Sequence, residues 1–372
     1  ACRGTRSAGA HDGAGSGGAS SGASSGGAGG GGGGGGGPTV SHARGAGSLG
    51  ELSAGVRVIG GTAWGFSHDA LSGALDVLFV DEAGQLPLAH LGGAARAARS
   101  VVLLGDQMQL PAPAEGHHPG GSGASCLEYL LRGAAVVPPS LGVFLPTTYR
   151  MHPALCSLVS ELSYESRLLP HACTGRRSIR LPPPPPPSAP RRLVSAGAGV
   201  SFIGVEHSGN TQASEEEAAA VKAICDELLH GAEFVDGRGT RPLGWDDIVV
   251  VAPYNLQVRA LTAALGEAAR VGTVDRFQGQ EAPVVIVSLC HSSFDDDAAA
   301  LPGGGGRGLS FVLNQNRLNV ALSRAQCLAL VVGSPRLLDA PPRSLEMHRE
   351  LNYLCRILEV ARQGAGKGAA VE

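Results

Sequence analysis

Leu75-Asp76-Val77-Leu78-Phe79-Val80-Asp81-Glu82-Ala83-Gly84-Gln85 decides the fold class. The run up to Val80 is apolar on both faces of an extended chain, which suits a central strand of a parallel sheet covered on both sides. Two carboxylates then stand at its carboxyl end, where open α/β sheets place their ligands. An acidic pair after a strand is, taken alone, more often a solvated turn. In nucleoside-triphosphate motors such a pair divides its labour: one carboxylate holds Mg²⁺ and the other orients and helps deprotonate the attacking water.

Outward from this stretch, short apolar runs alternate with helix-like stretches, the texture of parallel α/β units. Strands are expected over residues 56–59, 75–80, 101–104 and 142–146, and a helix from about Tyr149 to Tyr164. A second series has strands over 201–205, 248–252, 271–274, 284–289 and 328–332, with helices over 215–230, 256–269, 314–325 and 344–363. The expected organisation is a disordered Gly/Ser-rich segment (1–48), a partial first domain (49–153), a linker with a Pro-rich insertion (154–192), a second domain (193–363) and a tail (364–372). Six prolines in a row within 181–190 mark an exposed connection, and Gly303–Gly308 reads as a mobile loop.

Composition sets bounds. The chain has 372 residues, of which 57 are glycine, much of it in the first fifty positions. That segment lacks the apolar surface needed to offset its ordering entropy. The glycine run that ends at Gly37 is not a phosphate cradle, because no strand precedes it and no lysine follows. The formal charge of −3 is not that of a non-specific nucleic-acid coater; a motor gripping one strand needs only local positive charge. Eight cysteines form no C-x-x-C pair and no zinc-finger spacing. A reducing intracellular compartment, cytoplasmic or nuclear, is expected, with no membrane span. Because Ala1 stands where an initiator Met would, the chain is expected to be part of a longer one.

Further motifs add chemistry. Residues 101–104 lead into Gly105-Asp106-Gln107-Met108-Gln109-Leu110-Pro111, where the amide of Gln109 could sense a γ-phosphate as donor and acceptor. In Thr148-Tyr149-Arg150-Met151-His152-Pro153, the fork of donors on Arg150 suits phosphate oxygens at a domain boundary; His152 reads as a packing residue. Val274-Asp275-Arg276-Phe277-Gln278-Gly279-Gln280-Glu281 precedes a strand of the second series. Asn316-Arg317-Leu318-Asn319-Val320-Ala321-Leu322-Ser323-Arg324-Ala325 reads as a helix with Arg317 and Arg324 on one face. Each arginine alone would be a solvated residue.

In this order and spacing the set resembles the superfamily-1 helicases, in the branch of the nonsense-mediated-decay RNA helicase and its DNA-processing relatives, over residues 56–333. The resemblance implies tandem RecA-like parallel-sheet domains with ATP and Mg²⁺ between them, the first domain truncated. It also implies translocation 5′ to 3′ along single-stranded RNA or DNA; protein partners are not indicated. By that resemblance Asp81 is the Mg²⁺ carboxylate, Glu82 the general base, Gln109 the link between γ-phosphate and strand, and Arg150 and Arg324 arginine fingers. Gly279, Glu281 and Tyr149 would line the nucleotide side, and Thr62 and Tyr254 the nucleic-acid side.

The chain departs from the family at one point: G-x-x-x-x-G-K-[ST] is missing. Its two lysines are Lys222, with no flanking glycines, and Lys367, with no Ser or Thr after it. Without that loop most backbone amides for the β-phosphate are missing and ATP binding is expected to be poor. Three readings follow: the C-terminal part of an active ATP-dependent helicase, a degenerate ATPase-inactive nucleic-acid-binding or scaffold protein, or an unrelated α/β chain.

Overall fold

The computed structural model describes residues 57–111, 120–183, 186, 188, 192–293 and 308–367. All belong to one compact unit. The expected disordered segment 1–48, most of the proline run, and all of the 303–308 loop but Gly308 lie outside the described residues.

The first part opens with a one-turn helix α1 (Ala63–Phe66), then β1 (Leu75–Val80), α2 (Leu88–Ala94) and β2 (Ala98–Leu103). β1 and β2 pair in parallel, with Leu78 opposite Val101 and Val80 opposite Leu103. Leu78 is buried, whereas Val77 and Phe79, on the other face, are exposed. After α3 (Cys126–Leu131), two residues of β3 (Thr147–Thr148) lead to α4 (Pro153–Ser163) and β4 (Leu169–Pro170). α4 starts where it does because Pro153 occupies its first turn and the ring of His152 accepts the Ala154 N–H, which satisfies an otherwise orphaned donor.

The second part carries the main sheet. In chain order come β5 (Ser178–Arg180), β6 (Gly199–Gly204), α5 (Glu215–Leu229), β7 (Glu233–Asp236), β8 (Gly239–Pro242), β9 (Ile248–Val251) and α6 (Asn255–Leu265). β10 (Arg270–Gly272), β11 (Ala282–Ser288), α7 (Leu309–Leu313), α8 (Gln315–Ser323), β12 (Ala325–Gly333) and α9 (Leu345–Lys367) follow. Five strands pair in parallel in the order β10-β9-β11-β12-β6, while β5, β7 and β8 form an antiparallel ribbon. Every residue of β9 and β11 is buried, as the apolar runs required. α5 and α8 pack on β11 and β12, and α4 packs on α8 and β6. The fold class is α/β with parallel sheets.

Two expected strands are absent. Residues 57–59 form no strand, and residue 56 lies outside the described residues. Residues 142–146 form no ladder; the pairing begins only at Thr147. Pro146 has no N–H to donate, and Val143 and Leu145 stay exposed, so the segment has neither full backbone bonding nor a face to bury. Sequence reading also missed α2, α3 and the antiparallel ribbon, and ended the last helix four residues before Lys367.

No helix among the described residues is long and apolar enough to cross a membrane. One buried acid stands out in the packing of α9. Glu350 is 3% exposed, and its Oε2 has no partner among the described residues. Burial, with Glu346 nearby adding to it and a hydrogen bond from Ser310 opposing it, pushes its carboxyl up to about 7. Since the folded state then holds the proton more tightly than the unfolded chain, stability falls as pH rises from about 4.5 to 7 and stays low above it. Glu350→Gln should flatten that pH dependence and gain roughly 1–3 kcal/mol above pH 7, measured by urea unfolding across pH. An unchanged slope would show that Glu350 ionises normally in the fold.

Candidate nucleotide cleft

The acidic strand delivers its carboxylates to a turn held on three sides. The Ala83 N–H donates to the Leu104 carbonyl at 2.8 Å, the Cys126 thiol donates to the Ala83 carbonyl at 3.0 Å, and the Gln85 N–H donates to the Glu82 carbonyl at 2.8 Å. Glu82 has φ +51°, a left-handed conformation unusual for a residue with a side chain. Its N–H donates to Asp81 Oδ1 at 2.9 Å, and both carboxylates are exposed. The neighbouring turn after β2 comes so close that glycine is needed on each side. A Cβ on Gly84 would overlap the Asp106 carbonyl oxygen, and one on Gly105 would lie 2.7 Å from the Ala83 nitrogen. The two motifs therefore form one rigid block.

The second unit grips this block through α8. Asn316 donates its amide to the Gln107 and Gln109 carbonyls at 3.2 and 2.8 Å, and Asn319 donates to the Met108 carbonyl at 2.8 Å. Asp106 is the hub beneath: Oδ1 accepts the Met108 N–H, and Oδ2 accepts both the Gln109 amide at 2.9 Å and the Tyr164 hydroxyl at 2.6 Å. Burial, then the negative charge of Asp106, raises the Tyr164 phenol far above its ordinary range.

Two arginines stand beside this block: Arg150, between β3 and α4, and Arg324, in the second part. Arg324 sits in the single residue between α8 and β12, so helix and strand both pin its backbone. It is 4% exposed, its Nη2 reaches Gln109 Oε1 at 3.4 Å, and its Nε has no partner among the described residues. Burial lowers its pKa to about 10; the neighbouring charge of Arg150 adds to this, and Glu82, Tyr164 and Asp106 oppose it. It stays a cation at neutral pH. Arg150 donates from Nε to Glu281 Oε2 at 2.8 Å and from Nη1 to the Ser323 carbonyl at 3.1 Å. Gln326 donates to the other oxygen of Glu281 at 2.8 Å. The backbone of this arginine is fixed as well: Arg177 donates to the Tyr149 and Arg150 carbonyls, and the His152 N–H donates to the Gln326 carbonyl.

Glu82, Gln109 and Arg150 are thus brought together around Arg324, with Glu281 on Arg150 and Asp81 beside Glu82. Gly279 lies two residues before Glu281 with φ +75° and open space around it, so conformation rather than room calls for glycine there. Tyr149 is exposed and stacks on His171 at 4.5 Å. Two residues stand apart. Thr62 caps α1, accepting the Gly65 N–H at 3.4 Å. Tyr254 is buried, with its hydroxyl on the Gly308 carbonyl and its ring 5.3 Å from Phe311. Arg317, expected on one face with Arg324, instead stacks over Phe311 at 4.0 Å and pairs with Asp275 at 3.5 Å. Asp106, Tyr164, Asn316 and Asn319 were not singled out from sequence. A signal existed for the last two, since residues three apart on a helix share a face. Among the described residues no group of three or more His, Cys, Asp or Glu could hold a metal alone. Mg²⁺ bound beside a nucleotide asks for less, commonly one carboxylate plus phosphate oxygens and water.

A family model described as an AAA domain matches residues 124–336, more than half of the chain. The chain belongs to this AAA-domain family, as a superfamily-1 helicase of the branch that holds the nonsense-mediated-decay and DNA-processing enzymes. It is 30% identical over 263 residues to the DNA-binding protein SMUBP-2 of Rattus norvegicus, covering 68% of this chain and 24% of that one. It is 29% identical over 298 residues to the RNA helicase Mov10l1 of Homo sapiens, covering 71% and 23%. It is 27% identical over 307 residues to the DNA replication ATP-dependent helicase/nuclease DNA2 of Xenopus laevis, covering 77% and 27%. The chain therefore spans about a quarter of the length of these relatives.

The close approach of the two turns can be tested directly. Gly84→Ala should destabilise the protein by roughly 1–3 kcal/mol, because the added methyl forces the block apart. A urea midpoint equal to that of the unsubstituted chain would show that the turns are not packed this way.

Proposed function

We propose that this chain forms the carboxylate-and-arginine part of an ATP-dependent helicase that moves 5′ to 3′ along a single nucleic-acid strand, with ATP between RecA-like domains spanning about 49–153 and 193–363. One observation carries the reading: a buried guanidinium with an unpartnered Nε lies near a second arginine and near Glu82, whose neighbour is Asp81. A guanidinium buried as deeply as that of Arg324, with a second arginine beside it, is costly unless an anion joins it. A nucleotide phosphate has the charge and the oxygen geometry for such forks.

The residues present fit Mg²⁺ and ATP on that side. When bound, the nucleotide supplies the phosphoryl group that water attacks. Asp81 would hold the metal through its carboxylate. Glu82 orients the water and accepts its proton on a carboxylate oxygen. Arg150 and Arg324 present N–H donors where phosphoryl charge shifts in the transition state, and Glu281, Gly279 and Tyr149 border the nucleotide. Thr62 is proposed on the strand-binding side; Tyr254 acts there through the backbone at Gly308 that its hydroxyl holds. Relatives are named both as an RNA helicase and as a DNA-binding protein, so the strand is RNA or DNA. A cytoplasmic or nuclear site of action goes with this reading. The second reading is an ATPase-inactive nucleic-acid-binding or scaffold protein.

Residues 1–372 alone should hydrolyse ATP at background, with or without single-stranded nucleic acid. In a motor that joins them to a phosphate loop, Arg150→Ala should lower strand-stimulated turnover on the order of a thousandfold with nucleotide affinity nearly unchanged. Asp81→Ala should weaken both. Turnover by residues 1–372 that disappears with Glu82→Gln would contradict the need for the loop. Near-normal turnover of Arg150→Ala would remove that residue from the site, and a loop-bearing motor without turnover would favour the inactive reading.

A further inference from the structure

Away from the candidate cleft, a buried polar network joins the ends of β6 and β11 to the start of α5. The side chains of Glu217 and His207 are fully buried. The Glu217 carboxylate accepts the Ser288 hydroxyl at 2.6 Å and the Cys290 N–H on both oxygens, at 3.0 and 2.9 Å. Cys290 has φ +52°, so this carboxylate holds a strained left-handed turn at the exit of β11. An acceptor shared by those donors carries no proton of its own, so His207 Nε2, 2.8 Å away, is the donor. Across the ring, Nδ1 lies 2.8 Å from the Ser292 hydroxyl and 3.2 Å from the Asn210 amide nitrogen, which also donates to Glu216 at 3.0 Å. An NH₂ group only donates, so Nδ1 is bare and His207 is neutral. His291, buried in the same turn, makes the opposite demand. Its Nδ1 and Nε2 each lie 2.8 Å from a carbonyl oxygen, of Thr211 and Ser293 respectively. Carbonyl oxygens only accept, so both nitrogens are protonated and this ring is a cation. Both rings bear on one stretch of backbone, because the Ser292 and Ser293 N–H groups donate to the Asn210 carbonyl at 2.8 and 3.1 Å. Beyond Ser293 the chain leaves the described residues and returns at Gly308, whose carbonyl accepts the Tyr254 hydroxyl.

We infer that these two histidines make the clasp between residues 207–211 and the exit of β11 responsive to pH in both directions: His207 closes it only when neutral, and His291 only when charged. Acid protonates His207 Nδ1, which turns the acceptor of the Ser292 and Asn210 donors into a third donor, while the Nε2 bond to Glu217 survives. Alkali strips one proton from His291 and leaves one of its two carbonyls without a donor. The clasp is therefore tightest between the two titrations and loosens on either side. The ionisable groups around it are Glu216 and Glu217 from α5, with Cys290 and His291 from the exit of β11; Gln257 of α6 and Ser334 after β12 add neutral contacts. Glu216 stays charged across the relevant range, its carboxyl lowered by its own backbone N–H and by Ser214, and burial pushes the Cys290 thiol up. That leaves the two imidazoles as the titrating groups.

Imidazole nitrogen-15 NMR of residues 1–372 near neutral pH reads the charge states, with each ring assigned by its loss in His207→Gln and His291→Gln. His207 should show one bare and one protonated nitrogen, and His291 two protonated ones. Amide hydrogen exchange between about pH 5 and 8, the interval in which histidines ordinarily titrate, then follows the clasp as the ratio of intrinsic to observed rate. Protection of the Ser292 and Ser293 amides should pass through a maximum and fall about tenfold on each side, the contribution of roughly one hydrogen bond. The Cys290 amide, held by Glu217, should stay protected throughout. His207→Gln should remove the acid limb and His291→Gln the alkaline limb. Unchanged amides in β9 and β12 would certify the fold, and would also register any global effect of Glu350. If His207→Gln unfolds, Ser292→Ala removes the same bond from the other side and should shrink the acid limb at the Ser293 amide. Two rings in one charge state near neutral pH would overturn the inference. So would Ser292 and Ser293 protection that is flat or changes in one direction only, or the loss of both limbs in a single folded variant.

Discussion

The burial of Arg324 constrains everything around it. A guanidinium at 4% exposure must find acceptors or anions, and its backbone cannot yield, because one residue separates the end of α8 from the start of β12. The side chain is therefore projected at a fixed point against the turn that follows β2. There it meets one neutral acceptor, Gln109, and feels carboxylates at Asp106 and Glu82, while Arg150 opposes it. The balance leaves a cation with unused donor capacity facing an acidic strand end, the electrostatic form of a site made for an anion.

The other interactions hold that geometry still. Gly84 and Gly105 let the two acidic turns touch, and Asn316 and Asn319 fasten α8 to the carbonyls of the second turn. Arg150 is kept beside Arg324 by Glu281, Gln326 and the Ser323 carbonyl. Like charges so close are tolerated because each arginine has its own acceptors: Arg150 a carboxylate, Arg324 an amide oxygen. That difference suits a division of roles in which the partly exposed Arg150 can exchange partners and the buried Arg324 is aimed.

Much of the fold was legible because its signals are local. Runs such as Ile248–Val251 and Ala282–Ser288 are apolar on both faces, and that pattern belongs to a buried parallel strand wherever it occurs. α5 lies where a helix over 215–230 was expected, and the structure adds its start: Ser214 accepts the Glu217 N–H ahead of three glutamates in the first turn. The 142–146 segment misled because its short apolar run, Val143-Phe144-Leu145, imitates a strand, while strandhood also needs a neighbour to pair with. The antiparallel ribbon was hidden for a similar reason: Gly239–Pro242 is exposed throughout and has no apolar pattern. In the site, residues with charges in motif positions were found and their supports were not. Tyr164 and Asp106 are 58 positions apart, and nothing in the sequence announces that a phenol and a carboxylate will meet.

The central claim is that Arg150 and Arg324 are built to meet phosphoryl charge at the end of the acidic strand. A crystal structure of a phosphate-loop-bearing motor that contains these residues, with ADP and aluminium fluoride in the cleft, examines it most directly. The account predicts that guanidinium nitrogens of Arg150 and Arg324 lie within hydrogen-bond distance of the fluoride, with Asp81 and Glu82 on the opposite side. Fluoride bound with Arg150 still engaged only by Glu281 and Ser323, and Arg324 only by Gln109, would contradict it.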